Sequence, residues 1–83
     1  MDETRLQEAI EAAAAAHHSY ERDILQGRRD EQWAGWYAAY VCGRLNMNDP
    51  VTVTRLFELA ADRFQGPDWA VSYTRYMHGR LGE

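Results

Sequence analysis

Two side chains one helical turn apart, His17 and Glu21, are the first residues in this chain whose types and spacing could do chemistry. At i, i+4 on a helix, an imidazole and a carboxylate share one face, where they can ligate one metal ion or couple as a proton-transfer pair. Two ligands do not complete a site. The chain has no His-Glu-x-x-His and no second helix carrying a matching Glu-x-x-His. The competing reading is a packed histidine satisfied by a carboxylate or a tyrosine hydroxyl, because His17 lies near the centre of an apolar stripe. His18 points about 100° away, beside Arg22 at i+4, and reads as solvated.

A second constellation is aromatic and basic. Trp33, Tyr37, Tyr40 and Arg44 follow one another at intervals of 4, 3 and 4 residues, and Trp69, Tyr73, Tyr76 and Arg80 repeat that spacing. Two arginines beside tyrosine hydroxyls could clamp a small anion or a partner's carboxylate. Alternatively, each extends outward or pairs with an acid such as Glu21 or Asp62. Together with the first pair, these residues define a candidate ligand site of His17, Tyr20, Glu21, Tyr37, Arg44, Tyr73 and Arg80. If a metal is held, His17 and Glu21 are its expected ligands. The six stripe aromatics otherwise read as filling between alanine-rich helices, although five tyrosine hydroxyls need partners and favour a polar-lined interior or an interface. Trp36, whose counterpart is Ser72, sits off the centre of its stripe and is the candidate interface anchor, with burial at the stripe's edge as the competing reading.

Nucleophiles are poorly served. Cys42 has no histidine at i±3 or i±4 to activate it, and its single occurrence excludes a disulfide framework or a multi-cysteine zinc site. Ser19 and Ser72 fall inside helical patterns, and Ser19 lacks the Asp-Ser-Leu context of a phosphopantetheine carrier. His78 points away from the aromatic face of its helix. No residue is therefore assigned a catalytic role, and no cofactor other than a possible metal is expected.

The elements that must position these residues follow from a repeat. Trp-Ala-x-x-Tyr-x-x-Tyr-x-x-Gly-Arg-Leu occurs at 33–45 and again at 69–81, and Thr-Arg-Leu-x-Glu precedes each copy, at 4–8 and 54–58. Intervals of three and four place each motif on a helix. The upstream segments carry their own helical stripes, Leu6, Ile10, Ala13, His17, Tyr20 and Ile24 in one and Val53, Leu56, Phe57, Ala60 and Phe64 in the other. Asp2 and Thr52 are candidate caps for these helices, Asp30 caps the second, and Pro67 opens the fourth. The spacing predicts helices over roughly 3–26, 31–45, 52–65 and 67–81, joined by loops rich in Gly, Asn and Pro. The expected fold is all-α, a four-helix bundle of two related hairpins (1–46 and 51–83) in one domain. From Thr to Trp the first copy is 14 residues longer, and the excess contains His17 to Glu21.

Length and composition bound the rest. With 83 residues, 46% of them hydrophobic, the chain holds one small core, and burial at this size is limited enough to make self-association an expectation. Thirteen acidic against nine basic residues, a net charge of −4, oppose a role in gripping nucleic-acid backbones. All nine basic residues are arginine. No run approaches the roughly 20 apolar residues of a membrane span, and the acidic start Asp2-Glu3 does not suit a secretory signal. A cytoplasmic location and no membrane partner are expected.

The run Tyr20-Glu21 followed by Asp30-Glu31-Gln32-Trp33-Ala34-Gly35-Trp36-Tyr37-Ala38-Ala39-Tyr40 resembles small helical proteins of actinobacteria and cyanobacteria. These carry His-x-x-Tyr-Glu and then Asp-x-x-Trp-x-x-Trp-Tyr-Ala-x-Tyr. The resemblance implies a helical scaffold and no particular activity. The functional expectation is a small non-enzymatic interaction module acting on a protein partner or as a homo-oligomer. The alternative is a small-molecule or metal-binding helical protein, with catalysis left open, whose polar site lies around His17, Glu21 and the Tyr/Arg stripes.

Overall fold

The computed structural model describes residues 2–81, which form four helices: α1 (Glu3–Asp23), α2 (Trp33–Leu45), α3 (Pro50–Arg63) and α4 (Trp69–Leu81). There is no strand among the described residues, so the chain is all-helical. Each boundary has a local cause. Asp2 caps α1 by accepting a hydrogen bond from the Thr4 backbone N–H at 2.9 Å. Helix α1 stops at Asp23, earlier than its apolar stripe predicts, because the chain turns left-handed at Gln26 (φ 54°) and Gly27 (φ 85°). The Gly27 N–H then donates to the Glu21 carbonyl at 2.8 Å, and Ile24, placed by the sequence on the buried stripe, is exposed.

The other ends shift for similar reasons. The cap of α3 is Asp49, whose side chain accepts from the Thr52 N–H at 3.1 Å, so Pro50 opens the helix and Thr52 is donor rather than cap. Helix α2 begins at Trp33 after Gln32, which makes no side-chain cap of its own, while Asp30 two residues earlier accepts from the Gln32 N–H. It ends at Asn46, which takes the left-handed conformation (φ 60°). Helix α4 begins at Trp69, two residues after Pro67.

Small and large residues alternate across the core. Leu6, Ala9, Ile10 and Ala13 of α1 meet Ala34, Ala38 and Val41 of α2, Val53, Leu56, Phe57 and Ala60 of α3, and Tyr73 and Met77 of α4. Among the described residues the one fully buried polar side chain, Thr74, donates its hydroxyl to the Ala70 carbonyl at 2.7 Å. Helix α1 packs against α2 and α4, and α3 packs against the same two. Across the diagonal, the backbones of α2 and α4 stay apart, and only side chains bridge them. The radius of gyration, 12.1 Å, is what a compact chain of this length should have, about 12 Å.

The 14 residues by which the first Thr-to-Trp interval exceeds the second are spent mainly on helix. Twenty residues run from Thr4 to the end of α1, against ten from Thr54 to the end of α3, and the following loop is four residues longer. That added length carries His17 to Glu21 past the point where α3 has already ended, and the longer loop can fold back over it.

Candidate functional site

The returning loop closes on His17. Its imidazole Nε2 and Asp30 Oδ2 are 2.8 Å apart, and the histidine is only 5% exposed. An ionised carboxylate only accepts, so Nε2 carries the proton and donates. Asp30 is fixed from three directions. Its Oδ1 accepts from the Gln32 N–H at 2.9 Å, and its own backbone N–H donates to Glu21 Oε2 at 3.1 Å. The His17 bond, helped by the Gln32 N–H and opposed by desolvation, holds the Asp30 carboxyl below the usual carboxylate range. The other imidazole nitrogen, Nδ1, faces Glu21 Oε1 at 3.9 Å, too far for a hydrogen bond.

Aromatic rings enclose this cluster. Trp36 meets the imidazole edge-on with centroids 4.9 Å apart, Tyr37 lies at 5.1 Å and Tyr20 at 6.0 Å. Trp36, the expected interface anchor, is half-buried here, and it also stacks on Tyr40 at 5.7 Å with planes 15° apart. With one nitrogen bonded to Asp30 and the ring covered, His17 ties α1 to the start of α2. Among the described residues no group of three or more His, Cys, Asp or Glu side chains is arranged to hold a metal ion.

Tyr37 leads from this cluster into a second feature. On its far side, Trp33, Tyr37, Trp69 and Tyr73 line an open groove of about 200 Å³ between the N-terminal turns of α2 and α4. Long side chains on a helix lean toward its N-terminus, so tryptophans at the first position of each helix reach into the gap that the backbones leave. Fully buried Phe57 of α3 supports these rings from within, 6.4 Å from Trp33, 5.4 Å from Tyr37 and 6.2 Å from Tyr73. Around the groove successive rings stand steeply to one another: Trp33 to Tyr37 at 86°, Tyr37 to Trp69 at 69° and Trp69 to Tyr73 at 74°. Burial, then the charge of Glu21 and the neighbouring Tyr73, push the Tyr37 phenol up to about 12. Burial also raises Tyr73.

The sequence-derived ligand set is thus divided. His17, Tyr20, Glu21 and Tyr37 are brought together, and Tyr37 and Tyr73 share the groove. Arg44 and Arg80 lie seven residues beyond those tyrosines, about 10 Å further along their helices, and both are exposed. The Arg80 guanidinium covers the Tyr76 ring at 3.7 Å and donates to the Tyr76 carbonyl at 3.1 Å. Cys42 is buried, and burial raises its thiol.

Three residues were not singled out by spacing for these roles. Asp30 lies 13 residues from His17 across a loop outside the repeat, so no periodicity links them. Trp33 and Trp69 read as core, and the available signal was their equivalence: matched Trp and Tyr pairs, four apart, on two helices of one repeat. No family model, curated protein or solved structure matches the chain.

Proposed function

We propose that the protein is a small non-enzymatic interaction module, a four-helix bundle of two related hairpins that grips a partner protein through the aromatic groove between α2 and α4. The observation that carries this reading is the groove itself: four aromatic side chains, two from each copy of the repeated motif, lining about 200 Å³ that the fold leaves open. Tryptophan and tyrosine give large contact area at low entropic cost and dominate binding hot spots. The supported core beneath, centred on Phe57, keeps these rings in place before a partner arrives. The His17–Asp30 pair belongs to the same scaffold, since Tyr37 both packs on His17 and lines the groove.

The volume sets the scale of what enters. Pockets for drug-sized ligands span roughly 300–1,000 Å³, so this groove takes one side chain or head group, with further contacts supplied by the larger molecule that bears it. The test is selection of a random peptide library on the wild-type protein, followed by counter-selection on the Trp33→Leu/Trp69→Leu variant. Groove-dependent peptides, bound by the first and lost on the second, are expected. No enrichment, or peptides held equally by both proteins, would refute the reading.

A further inference from the structure

Resting on that reading, we propose that the groove is a cage for a methylated ammonium, the Nε-methylated lysine side chain of a partner protein. Aromatic faces carry negative charge density and attract cations, tryptophan most strongly. Four such rings surround one space, and no basic side chain lines it.

That absence is informative because the chain has nine arginines to offer. Tyr76, equivalent to Tyr40 in the repeat, shows what happens where an aromatic face is within their reach: Arg80 sits over it at 3.7 Å and Arg63 at 5.4 Å. The groove rings, by contrast, are left to an external cation. Carboxylates stand near both walls of the groove. The Glu21 carboxylate is near enough to Tyr37 to disfavour its ionisation, and Asp68 stands exposed immediately before Trp69. Glu31, two residues before Trp33, is exposed and faces Arg29 at 3.9 Å. Acids at the two helix starts offset the positive ends of the α2 and α4 dipoles, which would otherwise repel a cation.

Shape selects among cations. A flat guanidinium stacks on one ring, as Arg80 meets Tyr76. Rings set at 86°, 69° and 74° to their neighbours form the walls of a box, which suits a round, tetrahedral group touched from several sides. An unmodified lysine ammonium is strongly hydrated and wants a carboxylate at bonding distance, and no carboxylate lines the groove. Methylation removes the donors and weakens the hydration, leaving charge and apolar surface together. The open side of the groove suits a side chain delivered on a polypeptide, whereas a free solute of this size would need enclosure to bury most of its surface.

The experiment uses the intact protein and Gly-Ser-flanked peptides that differ at one residue: Nε-trimethyl-lysine, lysine, and the neutral analogue in which carbon replaces the ammonium nitrogen. Binding is followed by the indole N–H resonances of Trp33 and Trp69, with Trp36 as the internal reference outside the groove. Trimethyl-lysine is expected to bind about tenfold more tightly than either control, with the groove indoles moving and Trp36 still. Equal affinity for the neutral analogue would overturn the cation inference while leaving the groove as an apolar contact. Absence of binding by all three peptides would also overturn it, and the library selection would then decide separately whether the groove binds a partner at all. Tighter binding of phosphatidylcholine vesicles than of the trimethyl-lysine peptide would replace the partner protein by a lipid head group and refute the proposal. Trp69→Leu keeps apolar bulk and removes one π face, so it should weaken trimethyl-lysine about fivefold and the neutral analogue little. If that variant loses helicity, the wild-type comparison of the charged and neutral peptides still decides the matter.

Discussion

Replacing Asp30 by asparagine tests the clamp between α1 and α2 without changing its shape. Asparagine keeps an oxygen for the Gln32 N–H, now at 2.9 Å from Oδ1, but turns its amide NH2 toward His17 Nε2, which already carries a proton. Either the two donors collide or the imidazole moves its proton to Nδ1, where Glu21 at 3.9 Å is too distant to accept it well. A hydrogen bond to a charged group contributes about 1.5–3 kcal/mol and a neutral one about 0.5–1.5 kcal/mol, so the exchange should cost about 1–2 kcal/mol. The Asp30 side chain is 10% exposed and His17 7%, so screening by water reduces that figure little. In a domain of this length the loss corresponds to a fall in Tm of roughly 4–15 °C at pH 7.

The pH dependence gives the sharper discrimination. His17 holds the Asp30 carboxyl below its usual range, so the folded state favours the ionised form more than the unfolded chain does. The stabilisation is therefore fully present above the ordinary carboxylate value of about 4 and is lost as pH falls through the lower folded value. Thermal unfolding followed by circular dichroism from pH 7 down to pH 2.5 should show wild type and Asp30→Asn converging at the acidic end. A gap that persists unchanged to pH 2.5, or no gap at pH 7, would refute the argument.

Three other outcomes follow from individual positions. Trp36→Ala removes contacts to His17, Tyr20 and Tyr40 from a half-buried ring, so it should cost about 2 kcal/mol, half the usual loss for a core aromatic. An unchanged Tm with an altered solution mass would instead make Trp36 an interface residue. Gly43→Ala, in helix α2 with open space where the Cβ would go, should raise stability by about 0.5–1 kcal/mol in chemical denaturation, while Gly27→Ala at φ 85° should lower it. The Tyr37 phenol is pushed up to about 12, so its neutral form is favoured by folding and that contribution is lost as pH rises from about 10 through 12. Ultraviolet titration should show Tyr37 and Tyr73 ionising late, and Tyr37→Phe should remove the latest phase.

The same physical terms decide what the sequence could and could not disclose. Helical periodicity reports which residues share a face, so the four helices and their buried stripes were legible, and so was the packed, carboxylate-satisfied reading of His17. Periodicity carries no information about which residue wins a competition for one side chain. Asp30 had the type and position of an N-cap, and its two oxygens divide the work: Oδ1 accepts from the Gln32 N–H as a cap does, Oδ2 takes a charge-assisted bond from the buried imidazole, and the regular helix starts two residues later than expected. At α3 the cap is Asp49 rather than Thr52, because its carboxylate accepts from the Thr52 N–H and Pro50 suits the first helical position, which starts the helix two residues earlier. The groove was hidden for a different reason. A tryptophan and a tyrosine one turn apart look identical on a buried and on a half-buried stripe, and the outcome depends on how far apart the diagonal helices stand. Here α2 and α4 do not touch through their backbones, and both present Trp-x-x-x-Tyr at their first turn toward the same gap. Residues that fill a core when met singly thus line an open aromatic groove when two helices with the same Trp-x-x-x-Tyr spacing flank one gap.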